Sequence, residues 1–186
     1  MEVKEIFTKT EELMKKTVEK CKSELTSIRT GRASISLVEG IEVDCYNTKM
    51  KLNQLASINV IEGRTIEIRP WDKNVLVNIE KAILNSSLGL TPVNDGKIIK
   101  ITVPALTDER RNELIKQVNK LAETYRISIR NERRSALETL RQLKKDKKIS
   151  EDEEFKSEQQ LQKLTDNYIQ KIDALVEQKI KEINES

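Results

Sequence analysis

The sequence predicts an α+β protein in which a long three-helix bundle is interrupted by a small inserted β/α/β domain. Three observations lead there. All five glycines and all three prolines fall between Gly31 and Pro104, so neither flank contains a helix breaker. Both flanks repeat apolar residues at three-and-four spacing, the period of a helix with one buried face. Inside the window apolar and polar residues alternate instead, as half-buried strands do. Residues 1–30 and 105–186 are therefore assigned to a discontinuous bundle and residues 31–104 to the insert. The chain crosses between them near 30–32 and near 103–105, and these crossings are the natural hinge.

The first helix carries Phe7, Met14, Cys21 and Ile28 one heptad apart, with Val18 and Leu25 between them, and Gly31 is placed to end it. In the insert, Ile41 to Cys45 and Thr65 to Arg69 alternate strictly and read as strands. Residues 50–55 and 98–103 read as further strands. Residues 73–86, with Val75, Val77, Ile79, Ala82, Ile83 and Leu84, read as a short helix lying on the sheet. The second long helix opens at Thr107 as N-cap, with Asp108 and Glu109 where the helix dipole favours acids. Its stripe is Ile115, Val118, Ala122, Tyr125, Ile129, Ala136, Leu140 and Leu143, over about 38 residues or near 57 Å. Ser150 with Glu153 forms the pattern of a capping box opening the third, whose stripe includes Leu161, Leu164, Tyr168, Ile172, Leu175, Val176 and Ile183.

Composition excludes several classes of function. The chain has no histidine, which removes the commonest general base and metal ligand, and it shows no P-loop or dinucleotide fingerprint. No apolar run is long enough to span a membrane, and the first residues resemble neither a signal nor a transit peptide, so a cytoplasmic protein is expected. Cys21 and Cys45 lie in segments of different character without metal-ligand spacing, and read as small core residues in a reducing compartment.

The charge distribution is more informative. Residues 107–148 hold 13 Lys and Arg against 7 Asp and Glu, whereas residues 149–186 hold 5 against 10. Seven of the eleven arginines lie on the second long helix. Four of them, Arg126, Arg130, Arg133 and Arg134, fall within about 100° of arc beside the apolar stripe. They would form one exposed basic face. A guanidinium is a planar fork suited to phosphate, which points toward nucleic acid. The competing reading is a solvated face neutralised by the acidic helix beside it.

The order and spacing of four motifs resemble the ribosome recycling factor family across essentially the whole chain. They are Ile28-Arg29-Thr30-Gly31-Arg32-Ala33-Ser34, Pro104-Ala105-Leu106-Thr107-Asp108-Glu109-Arg110-Arg111, Arg130-Asn131-Glu132-Arg133-Arg134, and Lys145-Asp146-Lys147-Lys148-Ile149-Ser150-Glu151-Asp152. Gln54-Leu55-Ala56-Ser57 and Leu88-Gly89-Leu90 add to them in the insert. The resemblance implies an L-shaped, two-domain, monomeric protein whose bundle mimics the long arm of a tRNA. It also implies a translation factor rather than an enzyme, with no cofactor of its own. Its partners would be the post-termination ribosome, chiefly large-subunit rRNA, and elongation factor G, which consumes the GTP while the subunits are split.

Carried over by motif, the rRNA-contacting residues are Arg130 and Arg133, with Arg134 and Arg110 as helpers and Arg29 and Arg32 near the elbow. Thr30, Gly31, Val103, Pro104 and Ala105 are the hinge. Two positions depart from the family pattern: an aliphatic residue is usual where Glu132 stands, and an acid where Ser135 stands. Pairing with a neighbouring arginine is the expected role of Glu132. From other classes, a coiled-coil adaptor would use the stripes to meet partner helices, and a carboxylate- or metal-dependent hydrolase lacks the motifs it needs.

Overall fold

A computed structural model describes residues 2–185. In chain order the elements are helix α1 (Val3–Ser27), strands β1 (Glu42–Cys45) and β2 (Thr48–Lys51), helix α2 (Leu52–Leu55), strands β3 (Ala56–Ile61) and β4 (Thr65–Pro70), helix α3 (Leu76–Asn85), strands β5 (Pro92–Asn94) and β6 (Ile99–Thr102), and helices α4 (Asp108–Lys145) and α5 (Glu151–Asn184). The chain divides into two compact units, one made of residues up to Arg29 together with Asp108–Glu185, the other of Thr30–Thr107. No helix among the described residues is long and apolar enough to cross a membrane.

The first unit is the helical bundle of α1, α4 and α5. The buried stripe of α1 runs through Ile6, Thr10, Met14, Thr17, Cys21 and Leu25, with Ile28 just beyond the helix. Phe7 and Val18, assigned to this seam from sequence, are half-buried at its edge, and two threonines hold stripe positions instead. A threonine is admissible there because its methyl packs while its hydroxyl returns to the carbonyl four residues back. Thr17 shows this, with the Leu13 carbonyl 3.0 Å from its Oγ1. The helix also stops earlier than expected. Ile28 is its C-cap, in an extended conformation with its N–H on the Leu25 carbonyl, so Gly31 does not terminate it.

Helix α4 spans 38 residues, and Leu114 takes the fully buried place assigned to Ile115. Its end is a turn that contains no glycine: Lys147 adopts the left-handed conformation (φ 56°) while the Lys148 N–H bonds the Leu143 carbonyl at 2.9 Å. This is a Schellman closure formed with a residue that has a Cβ. Helix α5 then starts on Ser150, whose Oγ accepts the Glu153 N–H at 3.1 Å. That is the hydroxyl half of the predicted capping box. The bundle core includes Met14, Cys21, Val118, Ala122, Ile129, Leu140, Leu161 and Ile172, all nearly devoid of solvent contact. Tyr168 is also inside, with its hydroxyl donating to Glu11 Oε1 at 2.9 Å; burial foremost, then the Glu11 bond, pushes that phenol up to about 12.

The second unit is a four-stranded antiparallel sheet in the order β3-β4-β6-β5, together with the β1–β2 hairpin and α3. Ile66 faces Ile101 and Ile68 faces Ile99 across β4 and β6, and all four are fully buried with Ile79 and Ile83 of α3. Tyr46 and Asn47 turn the hairpin, both with positive φ, 48° and 63°. Two-residue turns of this kind match the strand twist.

Residues 50–55 are not one strand. β2 ends at Lys51, and Leu52–Leu55 form a single helical turn that buries Leu52 and Leu55. β3 and β5, unassigned from sequence, are the two edge strands, and only Ala56 in the first and Pro92 in the second are buried, which weakens the apolar signal of alternation. Val77 and Leu84, taken as part of the packed face of α3, are exposed. Cys21 and Cys45 are both buried free thiols.

A candidate nucleic-acid interface on helix α4

The four clustered arginines of α4 are not one uniform exposed face. Successive residues of a helix point about 100° apart, so a cluster spread over a quarter of the circumference meets different neighbours at its two edges. Arg126 is the inner one. Its side chain is only 21% exposed and reaches across to α5, with Nη2 at 2.7 Å and Nε at 2.9 Å from Asp173 Oδ1. It also meets Glu123 Oε2 at 3.3 Å. This arginine joins two helices.

Arg130, one turn later, is half exposed and donates from Nη1 to Glu123 Oε1 at 3.1 Å. Glu123 therefore holds two arginines, one on each oxygen. The bond from Arg130, then that from Arg126, holds its carboxyl below the ordinary carboxylate range, so it stays ionised. Arg133 and Arg134 differ: neither has an ion pair or side-chain hydrogen bond to a described residue. Arg134 is exposed and Arg133 half-buried. Two unpaired guanidinium groups thus lie beside one that is loosely held.

The other predicted binding residues are more dispersed. Arg110 is exposed near the start of α4 and pairs with Glu113 at 3.0 Å. Arg111 beside it is structural, because its Nε donates to the Ile183 carbonyl in the last turn of α5 at 3.2 Å. Arg29 and Arg32 are exposed, and the division between units falls between them, at Arg29/Thr30. Of the residues assigned to the crossings, Val103 is buried and its N–H bonds the Arg64 carbonyl at 2.8 Å. Pro104 and Ala105 are exposed, and regular structure does not resume until Asp108.

The acidic helix neutralises part of the basic one. Besides Arg126–Asp173, Arg141 lies 3.8 Å from Glu158, and Lys144 lies 3.7 Å from Glu154 and 3.9 Å from Glu151. These contacts leave Arg133 and Arg134 untouched. Glu123 and Asp173, which decide which arginines are held, went unassigned in the sequence. Glu123 was recoverable, since three and seven residues separate it from Arg126 and Arg130, both spacings that return to the same helix face.

Glu132 does not pair with an arginine. Pointing about 100° away from Arg133, it turns toward α1, where Thr17 Oγ1 donates to its Oε1 at 2.6 Å. Its Oε2 is buried without a partner. Burial raises the carboxyl above its ordinary value, against the opposing pulls of the Thr17 bond and of Lys20. It lines a groove of about 130 Å³ with Ile6, Leu13, Ser135 and Ala136 among others. The departure at Glu132 therefore costs the bundle and leaves the arginines alone.

Glu132→Leu is expected to raise bundle stability by about 1–2 kcal/mol, because an unsatisfied buried oxygen is replaced by packed carbon. Thr17 keeps the Leu13 carbonyl as acceptor. The native carboxyl binds its proton more tightly than the unfolded one, so the wild type gains stability as pH falls. The advantage of the leucine variant should be full at neutral pH and shrink as pH drops through the raised value toward the ordinary 4.5. Paired urea titrations across that range measure it; an advantage that grew on acidification would contradict this account of Glu132.

Among the described residues, no group of three or more Cys, Asp or Glu is arranged to hold a metal ion. The ribosome recycling factor family model matches residues 21–183. The ribosome-recycling factor of Endomicrobium trichonymphae is 50% identical over 183 residues, covering 98% of each chain. That of Desulfosudis oleivorans is 50% identical over 180 residues, covering 97% of each. Among solved structures, a solution structure of a ribosome recycling factor is 44% identical with a TM-score of 0.76, covering 100% of this chain and 99% of the other. The T. thermophilus ribosome recycling factor, placed together with E. coli elongation factor G on the E. coli post-termination complex, is 42% identical with a TM-score of 0.64, covering 98% and 99%. With matching motifs, fold and near-complete coverage in both directions, this chain belongs to the ribosome recycling factor family, whose members are translation factors and not enzymes.

Proposed function

We propose that the protein docks on rRNA of the large ribosomal subunit through Arg130, Arg133 and Arg134, with Arg110, Arg29 and Arg32 contributing from earlier in the chain. The observation that supports this reading is the unpaired state of Arg133 and Arg134 on a helix where Arg110, Arg111, Arg126, Arg130 and Arg141 all have carboxylate partners. An unpaired guanidinium can take up a phosphate without first losing an ion pair. In the second step, elongation factor G with GTP acts on the bound protein, and the unit of residues 30–107 moves at Thr30, Gly31, Pro104 and Ala105 to part the subunits. Val103 belongs to the hinge only as its anchored end, since it is tied to Arg64. Each unit has its own core, so such movement needs no core to be opened.

The test is a subunit-splitting assay with purified post-termination ribosomes, elongation factor G and GTP. The protein should split ribosomes only when both partners are present. Splitting at the same rate without elongation factor G would refute the two-step reading. A disulfide engineered to lock the two units should preserve binding and abolish splitting, and full activity in the locked protein would dispense with the hinge.

A further inference from the structure

The arginine face contains its own competing anion. We infer that Glu123 occupies the place of an rRNA phosphate at Arg130 in the free protein, and that docking proceeds by exchanging this carboxylate for the phosphate. The inference rests on the reading of α4 as the rRNA-binding face. It concerns which residue tunes that face, a role that none of the binding arginines fills.

Three features lead to it. First, the geometry is that of a releasable pair: Arg130 Nη1 and Glu123 Oε1 are 3.1 Å apart, with side chains 49% and 50% exposed. An ion pair so open to water contributes little stability and is easily exchanged for another anion. Second, Glu123 has an alternative when Arg130 leaves, because its other oxygen is already 3.3 Å from Arg126 Nη1. The carboxylate is not stranded. Third, Arg126 cannot substitute for Arg130 as the phosphate ligand, since Asp173 holds it from two guanidinium nitrogens and it is mostly buried. The cluster thus divides into a structural arginine, a guarded one, and two that are open.

Glu123 consequently weakens docking at one contact. By lowering net affinity it would also favour release of the factor after the subunits part. A fixed carboxylate beside the site further repels anions that fail to displace it, which biases Arg130 toward a phosphate presented by an extended surface also held by Arg133 and Arg134.

The experiment is a monovalent-salt titration of binding to isolated large ribosomal subunits by the full-length wild type, Glu123→Gln, Arg130→Ala, the double variant Glu123→Gln/Arg130→Ala, and Arg133→Ala/Arg134→Ala. Glutamine keeps the shape and loses the charge. Glu123→Gln should bind about three- to tenfold more tightly at low salt, with a salt slope steeper by up to about one, as expected when the phosphate contact at Arg130 forms without freeing a carboxylate that recaptures a cation. The double variant should lose that gain entirely, which separates exchange at Arg130 from a general loss of negative charge. Unchanged or weaker binding by Glu123→Gln, or a gain that survives in the double variant, would overturn the inference. Arg133→Ala/Arg134→Ala monitors the underlying reading: if it binds like wild type, α4 is not the rRNA face; if it binds weakly while Glu123→Gln is unaltered, only the role of Glu123 falls.

Discussion

Replacing Arg133 and Arg134 together by alanine is expected to weaken binding to large ribosomal subunits by about a hundredfold, from the loss of two charge-assisted contacts. It should also reduce the slope of log affinity against log salt by about two, one for each phosphate no longer neutralised. The slope is the more discriminating readout, because a damaged fold would lower affinity without changing the number of ions released so regularly. Both residues lie outside the buried stripe and neither has a partner among the described residues, so helix content should match the wild type. Cosedimentation at four or five salt concentrations measures both quantities. Equal affinity and equal slope would move the rRNA contact off this part of α4.

Leu140→Ala should have the largest effect on stability, about 2–5 kcal/mol. Leu140 is fully buried in a cluster with Ile6, Ala136, Leu143 and Leu161, which brings together all three helices of the bundle. Rigid helices on every side cannot close over the missing carbons, so a cavity remains. The probe has to be chosen with care. The single tryptophan, Trp71, is 70% exposed and belongs to the other unit, so its fluorescence is blind to this change. Far-UV circular dichroism follows the long helices directly. A loss below 1 kcal/mol in urea unfolding would show that the cluster collapses around alanine, contrary to the packing described here.

Much of the fold is legible in the chain because helix breakers are confined to one window. α4 was readable almost to the residue, since Thr107-Asp108-Glu109 marks its start and no glycine or proline interrupts the 38 residues that follow. The errors have particular causes. Thr10 and Thr17 both hold core positions, Thr17 by returning its polarity to the helix or to Glu132, so hydropathy shifted the α1 seam onto Phe7 and Val18. Gly31 looked like a terminator, but Ile28 ended the helix in extended conformation without one. β3 and β5 are sheet edges with little buried surface to reveal them.

The candidate site was legible as composition but not as pairing. A helical wheel places four arginines on one flank, yet it cannot say that α5 would offer Asp173 to Arg126. Adjacency in the sequence also suggested pairing Glu132 with the arginines. The helix turns Glu132 to the opposite flank, toward Thr17, and side-chain direction decided the matter where sequence proximity misled.

The discontinuity of the bundle has a consequence for the order in which the protein can assemble as it is made. α1 is synthesised before α4 and α5, the helices it packs on, which begin at Asp108, after the whole of the second unit. Until then Ile6, Met14, Cys21 and Leu25 have no partner, and α1 emerges as a lone amphipathic helix too short in contacts to be stable. The sheet unit has all its strands and α3 within one continuous stretch, so it can close while α1 waits. α4 and α5 are sequence neighbours joined by the Lys147 turn and form a local hairpin as soon as both exist. Of the three bundle helices, the one made earliest is thus the last to find its place, and the two threonines in its stripe keep that waiting surface less sticky than one built wholly of aliphatic residues.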